Sequence, residues 1–277
     1  MTTQNSNDNK LVSSALNRRQ LFGIGGTSIL GVALLAACSH DTPAATHVGE
    51  SPALDTAATG DVTDVVLLRT AASLEYSVID AYDEILKLGL FSDDFAKVDN
   101  IIKRIQEDHL AHAKLINQLV SVTGGTPITC ANERINRLYI APTLLAITGD
   151  DTIAKSPTPP QDALALAIGL ENLAAATYQS IVSVLHYVAI RDKAIHIGQQ
   201  EARHATVLVR ALSPKVASIV PTIDATGTTT LSALPTAFGT LSAITVSAGV
   251  LNDSGIKPSI NFDTPSLNSL MYESVTC

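Results

Sequence analysis

Glu75 and Glu171 each stand seven residues ahead of a tyrosine, Tyr82 and Tyr178, in two stretches that read almost alike, LEYSVIDAYDEIL and LENLAAATYQSIV. Each stretch is followed by a second amphipathic run with polar residues in register, His109 and His112 in one, Glu201 and His204 in the other. Carboxylate oxygens and imidazole nitrogens gathered in one place suit iron or manganese. Removing an unpaired charge from water costs several kcal/mol even after relaxation, so three glutamates on apolar seams require a positive partner. A metal ion can supply it, and so can protonated histidines.

The elements that would bring these side chains together are visible as helical periods. From Asp61 onward Val65, Leu68, Ala72, Glu75, Ile79, Tyr82 and Leu86 recur at alternating spacings of three and four. A break over residues 89–94 predicts a chain reversal, with Ser92 as N-cap of the next helix. That helix carries Val98, Ile101, Ile105, Asp108, His112, Leu115 and Leu119 and ends before Gly124-Gly125. Thr158-Pro159-Pro160 opens a third, with Leu164, Ile168, Glu171, Ala175, Tyr178, Val182 and Leu185 on one stripe. After a short turn near Arg191, Ala194, Ile197, Glu201, His204, Leu208 and Ala211 line the fourth. Short connections make the helices of each pair antiparallel neighbours, whereas residues 123–158 form a long crossover containing Cys130 and an apolar patch from Leu138 to Ile147. A helix of ~26 residues is ~39 Å long, a span this crossover can run. The expected fold is all-α, an antiparallel four-helix bundle over residues 61–212. Residues 213–277, poor in charge and rich in Thr, Ser, Ala and Gly, leave two options open: an irregular arm wrapping the bundle, or a short helix near 236–250.

With these residues in place, the chain resembles the ferritin-like superfamily of ferritins, rubrerythrins and manganese catalases, and in particular its exported ferritin-like domain proteins. That pattern has a glutamate on the first and third helices and Glu-x-x-His on the second and fourth. The resemblance covers residues 62–212 and implies Glu75, Glu171, Glu201, His204 and His112 as metal ligands. His109-Leu-Ala-His112 departs from it, with histidine where the family has glutamate, and His109 becomes a substitute ligand. A carboxylate can bridge two cations while a neutral imidazole binds one and brings no charge, so both a mononuclear and a dinuclear iron or manganese site stay open. Asp108, on the same stripe, offers an oxygen as a second choice of ligand, or supports the ligands from behind. Tyr82 and Tyr178 are hydrogen-bond donors behind the ligands, or tyrosines filling bundle layers. The resemblance implies oxidase- or peroxidase-type redox chemistry on dioxygen or peroxide, by a non-heme di-iron or di-manganese oxidoreductase, with no catalytic residue assigned. The alternative is a metal-free scaffold, its Glu and His residues paired with one another, serving as a surface lipoprotein in envelope interaction or stress protection. Homo-oligomerisation is left open. His186 and His196 read as surface or loop residues.

Ahead of the helices, residues 1–20 are polar with Arg18 and Arg19 adjacent, and Leu21 to Ala37 is an apolar run ending at Cys38. Asn17-Arg-Arg-Gln-Leu-Phe22 resembles a twin-arginine signal and Leu35-Ala-Ala-Cys38 a bacterial lipobox. Together they imply a signal peptide over 1–37, lipidation of Cys38, and a flexible tether over 39–60 in which His40 and His47 are solvated. The other option, an uncleaved anchor, is at the short limit for a ~30 Å hydrocarbon core. Either way the remainder is exported to the cell envelope or periplasm, with the membrane as partner. Loss of residues 1–37 leaves 15 basic and 25 acidic residues, net charge −10. With no basic patch, this balance disfavours nucleic acid and anionic lipid as partners. Cys130 and Cys277 pair in an oxidising compartment or remain two thiols. No phosphate-cradling glycine loop, nucleophile elbow or heme attachment motif supports nucleotide or hydrolase chemistry.

Overall fold

A computed structural model describes residues 62–214, residues 244–262 and Cys277. The signal segment, Cys38, His40, His47 and the tether lie outside the described residues, as does most of 213–277.

The described residues are predominantly helical: α1 (Asp64–Lys87), α2 (Val98–Val122), the short α3 (Glu133–Ile135), a π-helical turn (Asn136–Ile140), α4 (Ala141–Thr148), α5 (Pro159–Val182) and α6 (Val188–Leu212). The long helices pack as a bundle, α1 on α2 and α5 on α6, with α1 also on α5 and α2 on α6. Thr63 starts α1, its Oγ1 accepting from the backbone N–H of Val66 at 3.3 Å. Asp64 then serves another helix. Its carboxylate accepts from the backbone N–H groups of His186 and Tyr187 at 2.9 and 3.3 Å, filling the cap that α6 lacks in its own sequence. Ser92 does not cap α2. A 3-10 turn (Asp93–Phe95) follows it, Asp93 has φ +48°, and α2 begins only at Val98. Asp93 and Asp94 thus sit in a separate turn ahead of α2.

Within the crossover, α3, the π turn and α4 bury Ile135, Tyr139, Ile140, Ala146 and Ile147 against the bundle, which takes in much of the apolar patch from Leu138 to Ile147. Asn132 fixes its entry, its backbone N–H bonding Ser77 Oγ at 2.9 Å and its side chain capping α3 at Ile135. Near the far end of the chain the structure departs from the short helix near 236–250: residues 244–247 are extended. Strands β1 (Ile244–Ser247) and β2 (Ser259–Phe262) pair antiparallel, Ile244 opposite Phe262 and Ser247 opposite Ser259. Alternating Ile, Val and Phe favour a half-buried strand over a helix, and Gly249 and Gly255, both with positive φ, shape the connection. Buried Asp162, in the first turn of α5, fastens this ribbon by accepting from Gly249 N and Lys257 Nζ. Phe262 stacks on Tyr139 with ring centroids 4.9 Å apart. Cys130 and Cys277 are disulfide-bonded, Cα atoms 5.6 Å apart, which ties the C-terminal residue to the crossover.

The apolar interior falls into two blocks. One holds Leu67, Leu68, Ile116, Val120, Ile181 and Leu185; the other holds Leu74, Val78, Ile85, Ile102, Leu166 and Leu170. Buried polar residues fill the layer between them.

Gly169 on α5 lets β1 approach closely, since a Cβ there would meet Val246 Cγ2 at 2.3 Å. Gly169→Ala is therefore expected to lower stability by about 1–3 kcal/mol through overpacking, despite the ~1 kcal/mol helix propensity gained. Adding Val246→Ala should recover most of that loss. Chemical denaturation of both variants checks this, and an unchanged midpoint for the single variant would contradict it.

Candidate metal centre

Glu75 on α1, His109 and His112 on α2, Glu171 on α5, and Glu201 and His204 on α6 meet in the layer between the two apolar blocks. Glu75, His109, Glu171 and Glu201 are fully buried, and His112 and His204 are 6% and 7% exposed. Two four-residue groups have ligand atoms within 4.8 Å of one another: Glu75, His109, His112 and Glu201, and His109, Glu171, Glu201 and His204. His109 and Glu201 belong to both.

Contacts across the layer repeat with the sequence duplication. The Tyr82 hydroxyl on α1 donates to Glu171 Oε1 on α5, and the Tyr178 hydroxyl on α5 donates to Glu75 Oε1 on α1. His204 Nε2 lies 3.2 Å from Asp108 Oδ2, and His112 Nε2 lies 3.3 Å from Gln200 Oε1. Both partners accept, so each Nε2 carries the hydrogen and each Nδ1 is turned inward. His112 Nδ1 is 2.7 Å from Glu201 Oε1, and His204 Nδ1 is 3.0 Å from Glu201 Oε2. Of the two roles open to Asp108, alternative ligand or support behind the ligands, the geometry matches the second. The structure puts it behind His204, with Arg104 Nη2 2.7 Å from its other oxygen. Gln200 was missed, although the signal was available: aligned as Asp-His-Leu-Ala-His and Gln-Glu-Ala-Arg-His, residues 108 and 200 hold the same place.

His109 differs from the other two imidazoles. Its Nδ1 is 2.6 Å from Glu75 Oε2 and its Nε2 3.0 Å from Glu171 Oε1. Carboxylates only accept, so both ring nitrogens must carry hydrogen, and in this arrangement His109 is an imidazolium spanning the two glutamates. His186 and His196 are away from the centre, with side chains 77% and 68% exposed; His186 Nδ1 is 3.0 Å from Asp64.

The donor set fits a cation on one further observation. Glu201 Oε1 and His112 Nδ1 are buried and in contact, yet they are not aligned as donor and acceptor and neither has a hydrogen bond. The two atoms meet as an ion contact without hydrogen-bond alignment, an arrangement that a cation shared between them would satisfy.

The charges are strongly coupled. Burial disfavours the ionised form of Glu75, but its bond to His109 and the nearby positive charge of His109 and His112 outweigh it and bring its carboxyl down to about 2. Glu171 is held lower still, against the same burial, by His109 and His204. Burial also opposes imidazolium, yet the facing carboxylates raise His112 to about 10 and His204 to about 9, and His109 well above its ordinary value. Glu201 is pushed up, by burial first and then by Glu75, against the pull of the histidines.

A helical bundle with buried carboxylates and imidazoles on its helices, in a duplicated pattern, is compatible with a metal site between the helices. A family model described as a ferritin-like domain matches residues 63–214, and the chain belongs to that family. A solved structure of a conserved hypothetical protein from Mycobacterium tuberculosis is similar at 19% identity, covering 55% of this chain and 92% of that one, with a TM-score of 0.41. No curated protein matches the chain.

In the metal-free protein, His112 and His204 contribute stability that is fully present below their ordinary value of 6.5 and is lost as pH rises through 9 to 10. Glu75 contributes stability that is present above 4.5 and is lost as pH falls toward 2. The chelator-treated protein is thus expected to be most stable between roughly pH 4.5 and 6.5. Thermal midpoints measured from pH 3 to 10 should fall on both sides of that window. A midpoint still rising between pH 7 and 9 would contradict the charge assignment.

Proposed function

We propose that this chain is an exported ferritin-like protein that holds one divalent iron or manganese ion within an antiparallel four-helix bundle with one long crossover. The observation that carries the reading is the buried, unaligned contact between Glu201 Oε1 and His112 Nδ1 at the centre of six converging ligand side chains. Charge selects a single ion. Three carboxylates and the His109 imidazolium leave two negative charges, which one divalent cation neutralises while His112 and His204 remain neutral ligands. Glu201 reaches both histidines and is the common ligand, with Glu75 and Glu171 flanking. Oxygen and nitrogen donors favour iron or manganese.

When bound, such an ion supplies redox chemistry toward a small oxidant, dioxygen or peroxide. The chain's own residues do the rest. Asp108 and Gln200 hold the tautomers of His204 and His112, Tyr82 and Tyr178 fix the glutamates from behind, and full burial keeps bulk water away from the carboxylates. Arg18-Arg19 and the run ending at Cys38 support export and lipid anchoring of the chain in the cell envelope. The Cys130–Cys277 disulfide is in keeping with an oxidising compartment.

A second reading has its own observation. With all three histidines protonated, three imidazolium charges balance three carboxylates through the existing contacts, and the domain would be a metal-free scaffold for envelope interaction or stress protection. Elemental analysis of the full chain produced with iron or manganese separates the two. About one ion per chain is expected, with affinity falling about 10–100-fold or more in Glu201→Ala. His109→Glu, which replaces the internal cation with a fourth carboxylate, should raise the capacity to two. Sub-stoichiometric metal that Glu171→Ala leaves unchanged would favour the scaffold.

A further inference from the structure

The end of the bundle where α1 begins differs in character from the opposite end. There α1 starts, α2 ends, α5 ends and α6 starts, as the bonds from His186 and Tyr187 to Asp64 require. Val62, Val122, Val184, Tyr187 and Val188 are 44–78% exposed at this end. Val62, Thr123, His186 and Tyr187 border one open concavity, and among the described residues Asp64 is the acid lining it, buried and held by the N–H groups of α6. At the opposite end Asp83, Glu84, Asp93, Asp94, Asp150 and Asp151 are all exposed. The long axis therefore runs from an end rich in exposed valine, where Asp192 and Lys193 pair with each other, to one where exposed acids outnumber Lys87, Lys97 and Lys155.

We propose that the apolar end is a membrane-seating surface whose occupant is the lipid bilayer. The inference rests on the reading above that Cys38 is lipidated. Cys38 precedes Val62 by 24 positions, and Val62 is itself part of the apolar face, so the anchored chain enters the bundle where the patch lies. A chain of that length reaches at most about 80 Å, too far to orient the domain by itself. Orientation falls to the surface. An exposed cluster of valines around a tyrosine suits the interfacial zone of a bilayer, and the acidic end is repelled by any anionic headgroups. Seated this way, the bundle stands with its metal centre about half a helix length from the lipid and its acidic end outward.

The chain contains no tryptophan, so a single introduced one is a clean reporter. The lipidated full chain is placed on phosphatidylcholine vesicles containing bromine-labelled acyl chains, carrying either Tyr187→Trp or, as the distal control, Leu251→Trp. Leu251 is 51% exposed and lies beyond Gly249, which is bonded to Asp162 at the opposite end. The expected result is blue-shifted, quenched emission at position 187 and none at 251. Val122→Asp with Val188→Asp should abolish that quenching while Cys38 still holds the chain on the vesicles. Co-sedimentation with an unquenched reporter at 187, or equal quenching at both positions, overturns the inference and leaves the anchor reading standing. Failure to co-sediment overturns both. A blue shift at 187 that appears without lipid and grows with protein concentration would assign the face to a second copy of the chain and overturn the bilayer.

Discussion

Three carboxylates and three imidazoles held out of water are the constraint to which the rest of this structure answers. An isolated charge in such a place would cost several kcal/mol, and no amount of the surrounding leucine and isoleucine offsets that. Every charged group in the layer is accordingly within reach of one of opposite sign, Glu75 and Glu171 through His109, Glu201 through His112 and His204. The apolar blocks on either side form walls that raise the strength of these contacts and fix the spacing of the helices.

Duplication is what makes the layer closable. Each half of the chain brings a glutamate and a tyrosine on one helix and an inward histidine on the next; Glu75 meets His109 and Glu171 meets His204 within a half, but each half leaves groups that only the other satisfies. The Tyr82 hydroxyl is used by Glu171 and the Tyr178 hydroxyl by Glu75; Gln200 supports His112 and Asp108 supports His204. Because the bonds cross between halves, docking the two hairpins satisfies donors and acceptors that would otherwise be left unpaired. This exchange specifies the pairing of hairpins more sharply than apolar contact does, since a slip of one turn would strand several buried polar atoms. Close helix approach at Gly198, where a Cβ would lie 2.9 Å from Tyr178 Cβ, serves the same geometry by letting Tyr178 sit where it reaches Glu75.

The long helices and their inward residues were readable because a 3.6-residue period with a polar interruption survives in the sequence wherever one face is buried. Glu75, Glu171, Glu201 and His204 stood out as breaks in apolar stripes, and the structure brings them together. What lay beyond reach depended on contacts between distant segments. The role of Asp64 as a cap for α6 is set 122 residues away in the chain, and no local pattern announces it. The ribbon of β1 and β2 exists because Gly169 leaves room on α5 and Asp162 fastens the turn, neither of which composition encodes. Ser92 was misleading for a local reason: Asp93, with positive φ, ends the Ser-Asp-Asp signal in a separate turn before α2 starts.

His109 is where the physical chemistry of this chain parts from the duplicated pattern. A glutamate at this position would add a negative charge to a layer already holding three, and two divalent ions would be needed to balance them. Histidine adds a positive charge instead and bonds the two glutamates directly, at 2.6 and 3.0 Å, so the layer can persist with less metal or none. The same substitution narrows access. With Glu75, Glu171, Glu201 and His109 fully buried, contact with solvent among the described residues of the layer is confined to His112 and His204, and behind them Asp108 and Gln200, along the seam of α2 and α6. Any reagent that reaches the centre without opening the bundle must enter there and be small, and the polar pair at that seam, one a carboxylate and the other an amide, makes the two approaches electrostatically unequal.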